Sequence, residues 1–283
     1  MNIIVQPRWL LARMYEPDLV IVDCRFQLGA PEAGRKAYEQ DHIPGALYAD
    51  LETDLSAPVT EHGGRHPLPD SQAFAAFIGK LGIDQDTRVV AYDDQGGAFA
   101  ARLWWLLRYH GHRRTYILDG GYSKWKELGY SVSYAKPPVI VPKTFVPELQ
   151  PDMLVSMQEV RERLGNSRTL LIDSREPRRY RGEEEPIDRK AGHIPGARNL
   201  FWKDSLNGDG LWKSAEEQKE RFAAAGLDPE GEQEIIVYCG SGVTACPNVL
   251  ALEQAGYRNV KLYAGSWSDW ISYEDNPVAM GEE

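Results

Sequence analysis

The feature that most constrains the fold of this 283-residue chain is that it repeats itself once. Leu19-Val20-Ile21-Val22-Asp23-Cys24-Arg25 is echoed by Thr169-Leu170-Leu171-Ile172-Asp173-Ser174-Arg175. Asp41-His42-Ile43-Pro44-Gly45-Ala46 returns as Gly192-His193-Ile194-Pro195-Gly196-Ala197. Arg88-Val89-Val90-Ala91-Tyr92-Asp93 matches Glu234-Ile235-Ile236-Val237-Tyr238-Cys239, and Tyr116 to Trp125 matches Lys261 to Trp270. Blocks matched in the same order at a spacing of about 150 residues are a duplication, and a period that long makes each copy a whole domain instead of a solenoid unit.

Within each copy, short apolar β-branched runs alternate with helical patterns. The helices are predicted at Ala73–Leu81, Ala98–Tyr109, Ser214–Ala225 and Thr244–Ala255. That alternation predicts an α/β fold with a mainly parallel sheet and helices on both faces. Between the copies stand Pro137, Pro138, Pro142, Pro147 and Pro151, a density that blocks helix and sheet alike. The predicted organisation is an N-terminal domain at 1–136, a semi-rigid linker at 137–151 and a C-terminal domain at 152–283.

Ligands of parallel α/β sheets bind beyond the carboxyl ends of the strands. Cys239 and Asp93 both fall at such a place. Val237-Tyr238-Cys239-Gly240-Ser241-Gly242-Val243-Thr244 reads as strand, glycine-rich loop and helix, with Thr244 as the predicted N-cap. A loop of this kind turns successive backbone N–H groups toward one point, and the following helix adds its positive end. A cysteine at its base has its thiolate stabilised and becomes a nucleophile, whereas most free cysteines are buried and inert. The first copy carries Asp93 there, followed by Asp94-Gln95-Gly96-Gly97. A carboxylate does not attack sulfur usefully, so the first copy is expected to be a non-catalytic scaffold.

The formal net charge of -10 argues against a nucleic-acid partner but allows a locally positive site for a small anion. Three cysteines, Cys24, Cys239 and Cys246, form no zinc spacing and fit reduced thiols; no metal and no cofactor is expected. No run of apolar residues suggests a membrane span and the first residues do not read as a signal peptide, so a cytoplasmic location is expected.

The loop Cys239-Gly240-Ser241-Gly242-Val243-Thr244, the paired His-Ile-Pro-Gly-Ala motifs and Ala264-Gly265-Ser266-Trp267 together resemble the tandem-domain rhodanese family, over roughly Val20 to Trp270. The resemblance implies two rhodanese-like domains and a site in the cleft between them. It further implies a sulfurtransferase in which Cys239 accepts a sulfane sulfur as a persulfide. The donor would be 3-mercaptopyruvate or thiosulfate, and the acceptor cyanide, a small thiol or thioredoxin. Gly240, Ser241, Gly242, Val243 and Thr244 would supply N–H groups to the donor and persulfide, with the Ser241 hydroxyl added. Arg179 matches the family's donor-binding arginine, and the bland alternative is a solvated basic turn balanced by Glu183, Glu184 and Glu185. The family's second arginine is replaced by Glu185-Pro186-Ile187-Asp188, which leaves Arg189 as a possible substitute. His42 matches a histidine proposed to assist proton transfer; its alternative is a structural role at the Pro-Gly turn, the role expected of His193. A phosphatase is excluded because Ala245 stands where the phosphate-binding arginine would be. The remaining alternative is a non-turnover sulfur carrier or regulatory binding module.

Overall fold

The computed structural model describes residues 3–136 and 139–282, so Pro137 and Pro138 of the expected linker lie outside the described residues. The chain divides into two compact units. The sheet of the first holds β1 (Ile4–Val5), β2 (Leu19–Asp23), β3 (Leu47–Tyr48), β4 (Arg88–Tyr92) and β5 (Thr115–Leu118), in the order β1-β5-β4-β2-β3. Its helices are α1 (Pro7–Leu11), α2 (Glu32–Gln40), α3 (Ser71–Lys80), α4 (Ala98–Tyr109) and α5 (Gly121–Glu127). The second unit repeats the plan with β6 (Leu154–Val155), β7 (Thr169–Asp173), β8 (Ala197–Asn199), β9 (Glu234–Tyr238) and β10 (Val260–Tyr263), in the order β6-β10-β9-β7-β8. Its helices are α6 (Met157–Glu162), α7 (Pro177–Tyr180), α8 (Ala215–Ala224), α9 (Cys246–Gln254) and α10 (Ser266–Trp270).

Every strand pairing is parallel, and the central pairs share one register: Asp23 lies opposite Tyr92 in the first sheet, Asp173 opposite Tyr238 in the second. Side chains alternate between the faces of a strand, yet Val89 to Tyr92 and Ile235 to Tyr238 are buried throughout. Both faces of these strands are therefore covered, as a parallel sheet requires. Trp104, Trp105, Trp125 and Trp270 are core residues, fully enclosed. No helix among the described residues is long and apolar enough to cross a membrane.

The units do not follow the sequence halves completely. Pro58–Leu68 from the first half belongs to the second unit, and Gly208–Trp212 from the second half belongs to the first. Trp212 N–H donates to the Asp119 carboxylate at 2.9 Å, which ties that short segment down. The proline-rich stretch is fastened along the first unit instead of spanning freely. Lys143 N–H bonds to the Gly79 carbonyl at 2.9 Å, Glu148 N–H to His110 at 3.0 Å and Gln150 N–H to Tyr109 at 2.8 Å, while Phe145 is buried. Backbone amides that cannot enter a sheet thus find carbonyls at helix ends.

At the end of β4, Asp93 shows what the loop of this fold does. One carboxylate oxygen accepts from the N–H groups of Gln95 (2.8 Å) and Gly97 (2.9 Å), the other from Phe99 (2.8 Å) and Ala100 (2.9 Å). Gly96 and Gly97 make the turn possible with φ of 74° and 87°, where other residues are strained. Burial pushes the Asp93 carboxyl up, and these N–H bonds pull it back. The loop is an anion cradle occupied by the chain's own carboxylate. Asp93→Ala would leave those amides buried and unpaired, so we expect a loss of about 3 kcal/mol, with Asp93→Asn losing less. Chemical denaturation measures it; an unchanged midpoint for Asp93→Ala would show that the cradle contributes nothing to folding.

Candidate active site

The equivalent strand, β9, delivers Cys239 into the loop 239–245. Its backbone is held from beneath by α10. The Cys239 carbonyl accepts from Trp267 N–H at 2.9 Å and the Gly240 carbonyl from Ser268 N–H at 2.9 Å. Cys239 N–H donates to the Ser266 hydroxyl oxygen at 3.1 Å, and that hydroxyl donates to the Tyr263 carbonyl at 2.9 Å. Ser266 holds this position with φ of 57°, the left-handed region that costs a residue with a side chain about 1 kcal/mol.

Above this base, the N–H groups of Gly240, Ser241, Val243, Thr244 and Ala245 meet no acceptor among the described residues. Gly242 has φ of 75°, and a Cβ there would stand 2.1 Å from the Ala264 carbonyl oxygen, so the turn requires glycine. Thr244 is not the N-cap. Ala245 occupies that position without a side-chain bond, and α9 starts at Cys246. The reason is Pro247, whose fixed φ and missing N–H suit the first turn and set the start beside it.

Two guanidinium groups flank the loop. A Cβ on Gly240 would lie 2.8 Å from Arg65 Nη2 and 3.7 Å from both terminal nitrogens of Arg179. Arg179 donates to Glu185 from Nε (3.2 Å) and Nη2 (2.7 Å), and from Nη2 to Asp188 at 3.0 Å. Arg65 Nη1 pairs with the other oxygen of the same Asp188. The side chains of Glu185 and Asp188 are almost wholly buried. Burial and the neighbouring Arg179 push the Arg65 guanidinium down, while negative charge on Cys239 and Glu185 pulls it up. The basic run divides accordingly: Arg178 and Arg181 make surface pairs with Glu183 and Glu184, and Arg179 turns inward. Arg189 donates to the Ile271 carbonyl at 2.5 Å.

Arg65 and His66 are the site residues that sequence reading missed. His66 Nδ1 lies 2.7 Å from the Ser241 hydroxyl, both residues buried. Their segment is fastened to α10 and its end. Gly63 N–H donates to Asp269 at 2.7 Å, Arg65 N–H to the Ser268 hydroxyl at 3.1 Å, and the His62 ring stacks on Tyr273 at 4.0 Å. The available signal was His62-Gly63-Gly64-Arg65-His66-Pro67, a stretch with no echo in the second copy.

His42 is set like a residue that holds a turn, the structural one of its two expected roles. Its ring is buried, stacks on Tyr38 at 4.3 Å and engages the Tyr38 carbonyl through Nδ1 at 2.7 Å. His193 does the same with Tyr180, at 3.8 Å and 2.8 Å. The same setting recurs in both copies and fits the structural alternative for both histidines. Cys24 and Cys246 are interior. Burial, with Asp23 and Asp93 nearby, pushes the Cys24 thiol well up, and Cys246 donates to the Gly242 carbonyl at 3.3 Å.

A family model described as the rhodanese-like domain matches residues 6–128 and again 156–273. The chain belongs to the rhodanese family. It is 46% identical over 275 residues to a probable 3-mercaptopyruvate sulfurtransferase of Pseudomonas aeruginosa, covering 96% of each chain. It is 34% identical over 279 residues to mouse (Mus musculus) thiosulfate sulfurtransferase, covering 95% of this chain and 91% of that one. Among solved structures, it is similar to SseA of Escherichia coli, a 3-mercaptopyruvate sulfurtransferase, with a TM-score of 0.83 and 31% identity over 95% of this chain and 100% of that one. This rhodanese is a sulfurtransferase.

The two loop glycines should fail differently. Gly242→Ala drives a methyl into backbone and should destabilise the second unit along with activity. Gly240→Ala meets the movable end of Arg65, so activity should fall by about tenfold with stability kept. Thermal melts paired with sulfur-transfer assays test this; equal stability losses in both variants would contradict it.

Proposed function

We propose that this rhodanese transfers sulfur from 3-mercaptopyruvate in preference to thiosulfate, through a persulfide on Cys239, to a thiol, cyanide or thioredoxin-type acceptor. The observation that carries the donor preference is the Ser241–His66 pair at 2.7 Å beside the nucleophile.

The argument is one of proton accounting. The Cys239 thiolate attacks the sulfur of mercaptopyruvate and the carbon–sulfur bond breaks, its electron pair passing to carbon as the pyruvate enolate. The new persulfide loses the proton that the donor thiol carried, and the enolate carbon gains one. A hydroxyl hydrogen-bonded to imidazole can move that proton. Thiosulfate needs no such transfer, since attack on its outer sulfur releases sulfite directly. The persulfide left on Cys239 is anionic, and the N–H groups of Gly240, Ser241, Gly242, Val243 and Thr244 are the donors proposed to stabilise it. The first unit supplies a precedent: a carboxylate oxygen of aspartate and the outer sulfur of a cysteine persulfide stand the same number of bonds from Cα, and the Asp93 oxygens sit in such a cradle. Arg179, with Nη1 outside its pairs to Glu185 and Asp188, is proposed to take the donor carboxylate, assisted by Arg65.

Incubation with mercaptopyruvate should add one sulfur to Cys239 and none to Cys24 or Cys246, as read by peptide mass spectrometry; a persulfide on either other cysteine would sink the mechanism. His66→Gln should lower kcat/KM for mercaptopyruvate by about 100-fold while thiosulfate changes by less than about threefold. Arg179→Ala should raise KM for mercaptopyruvate about ten- to hundredfold. Steady-state kinetics on both donors decides, and a wild type that favours thiosulfate would refute the preference.

A further inference from the structure

Asp188 touches both guanidinium groups of the site, one with each oxygen, and its side chain has almost no exposure. It does two things. It fixes Arg65 and Arg179 side by side over Gly240, where like charges would otherwise separate. It also cancels one of their charges, Glu185 facing the other from the Arg179 side. The edges still able to donate are Arg65 Nη2, lying toward Gly240, Arg65 Nε, which is buried without a partner among the described residues, and Arg179 Nη1. The frame thus offers several N–H donors but little net positive charge.

From this we infer that Asp188 is a specificity-determining residue, which tunes the two-arginine frame to a donor with a single carboxylate charge and against a compact dianion. The inference rests on the proposed sulfur transfer at Cys239. Hydrogen bonding to a planar monoanion needs aligned N–H groups and modest charge. A dianion such as thiosulfate depends on net positive potential, because its Coulomb energy in a given field is twice that of a monoanion. The same holds for its leaving group, since sulfite carries away concentrated charge whereas pyruvate keeps only its carboxylate.

The groups facing Asp188 make the test directional. Asp188→Asn removes a negative charge at nearly constant shape, so the ratio of kcat/KM for thiosulfate to that for mercaptopyruvate should rise about tenfold. Arg65→Gln removes a positive charge from the same pair, and the ratio should fall. Asp188→Glu restores the charge and should return the ratio toward wild type. Steady-state kinetics on both donors, with thermal melts to confirm folding, reads all three. A merely structural Asp188 would depress both donors alike, and ratios unmoved or shifted in the same direction by Asp188→Asn and Arg65→Gln would overturn the inference. Failure of the underlying reading looks different: wild-type protein would then form no Cys239 persulfide with either donor.

Discussion

Everything at this site depends on backbone N–H groups converging beyond the carboxyl end of a central parallel strand. The fold builds that arrangement twice and fills it in opposite ways. After β4 the filling is covalent: Asp93 reaches four amides with its two oxygens, and no dissolved anion can displace a group attached to the same chain. After β9 the residue is a cysteine, and the N–H groups of Gly240, Ser241, Val243, Thr244 and Ala245 meet no acceptor among the described residues. A thiolate ends one bond short of where the Asp93 oxygens end, and a persulfide makes up that bond. On the proposed mechanism the cradle is therefore better matched to the sulfur-loaded state than to the resting one, the direction a sulfur-accepting site needs.

Charge is supplied from outside the loop. Gly240 and Ser241 are uncharged, and read in sequence the loop looks unsuited to a strongly anionic donor. The absence of a side chain on Gly240 is what admits the Arg65 guanidinium, which comes from residues far away in the sequence but within the same compact unit. A cation borne on a separate segment can be held by a partner such as Asp188, so its charge can be adjusted without altering the amides proposed to hold sulfur. Separating the two tasks is also why Gly240→Ala and Gly242→Ala should behave so differently.

Much of this was legible in the sequence because the duplication made it so. The repeated Asp at the end of β2 and β7, the glycine loop and the exact helix at Ala98–Tyr109 follow from local patterns that the chain prints twice. The inward turn of Arg179 could be anticipated from family likeness but not from charge patterning, since Arg178 and Arg181 beside it are surface residues. Arg65 and His66 were not legible. They sit in an irregular segment without periodicity, and the contacts that fix them, to Asp269, Ser268 and Ser241, span large sequence separations. Thr244 misled as a cap because Pro247, the second residue of α9, sets where the backbone can begin to coil.

Gly121 and Ser266 differ in a way that bears on the proposed nucleophile. Both residues open the helix after the last strand, with φ of 55° and 57°, and both precede a residue whose N–H holds the carbonyl of the strand-end residue: Tyr122 to Asp93 at 2.8 Å, Trp267 to Cys239 at 2.9 Å. In the first unit a Cβ at position 121 would stand 2.1 Å from the Asp93 carbonyl oxygen, so glycine is obligatory there. In the second, a serine accepts the left-handed strain, and its hydroxyl receives the Cys239 N–H while donating to Tyr263. A carboxylate tethered by four amides is fixed by its own bonds. The Cys239 sulfur, proposed to attack, carry and release another sulfur, is placed instead by a backbone fixed from below. The strain at Ser266 is offset by the two hydrogen bonds it makes possible, which fix the backbone of the proposed nucleophile without using its side chain.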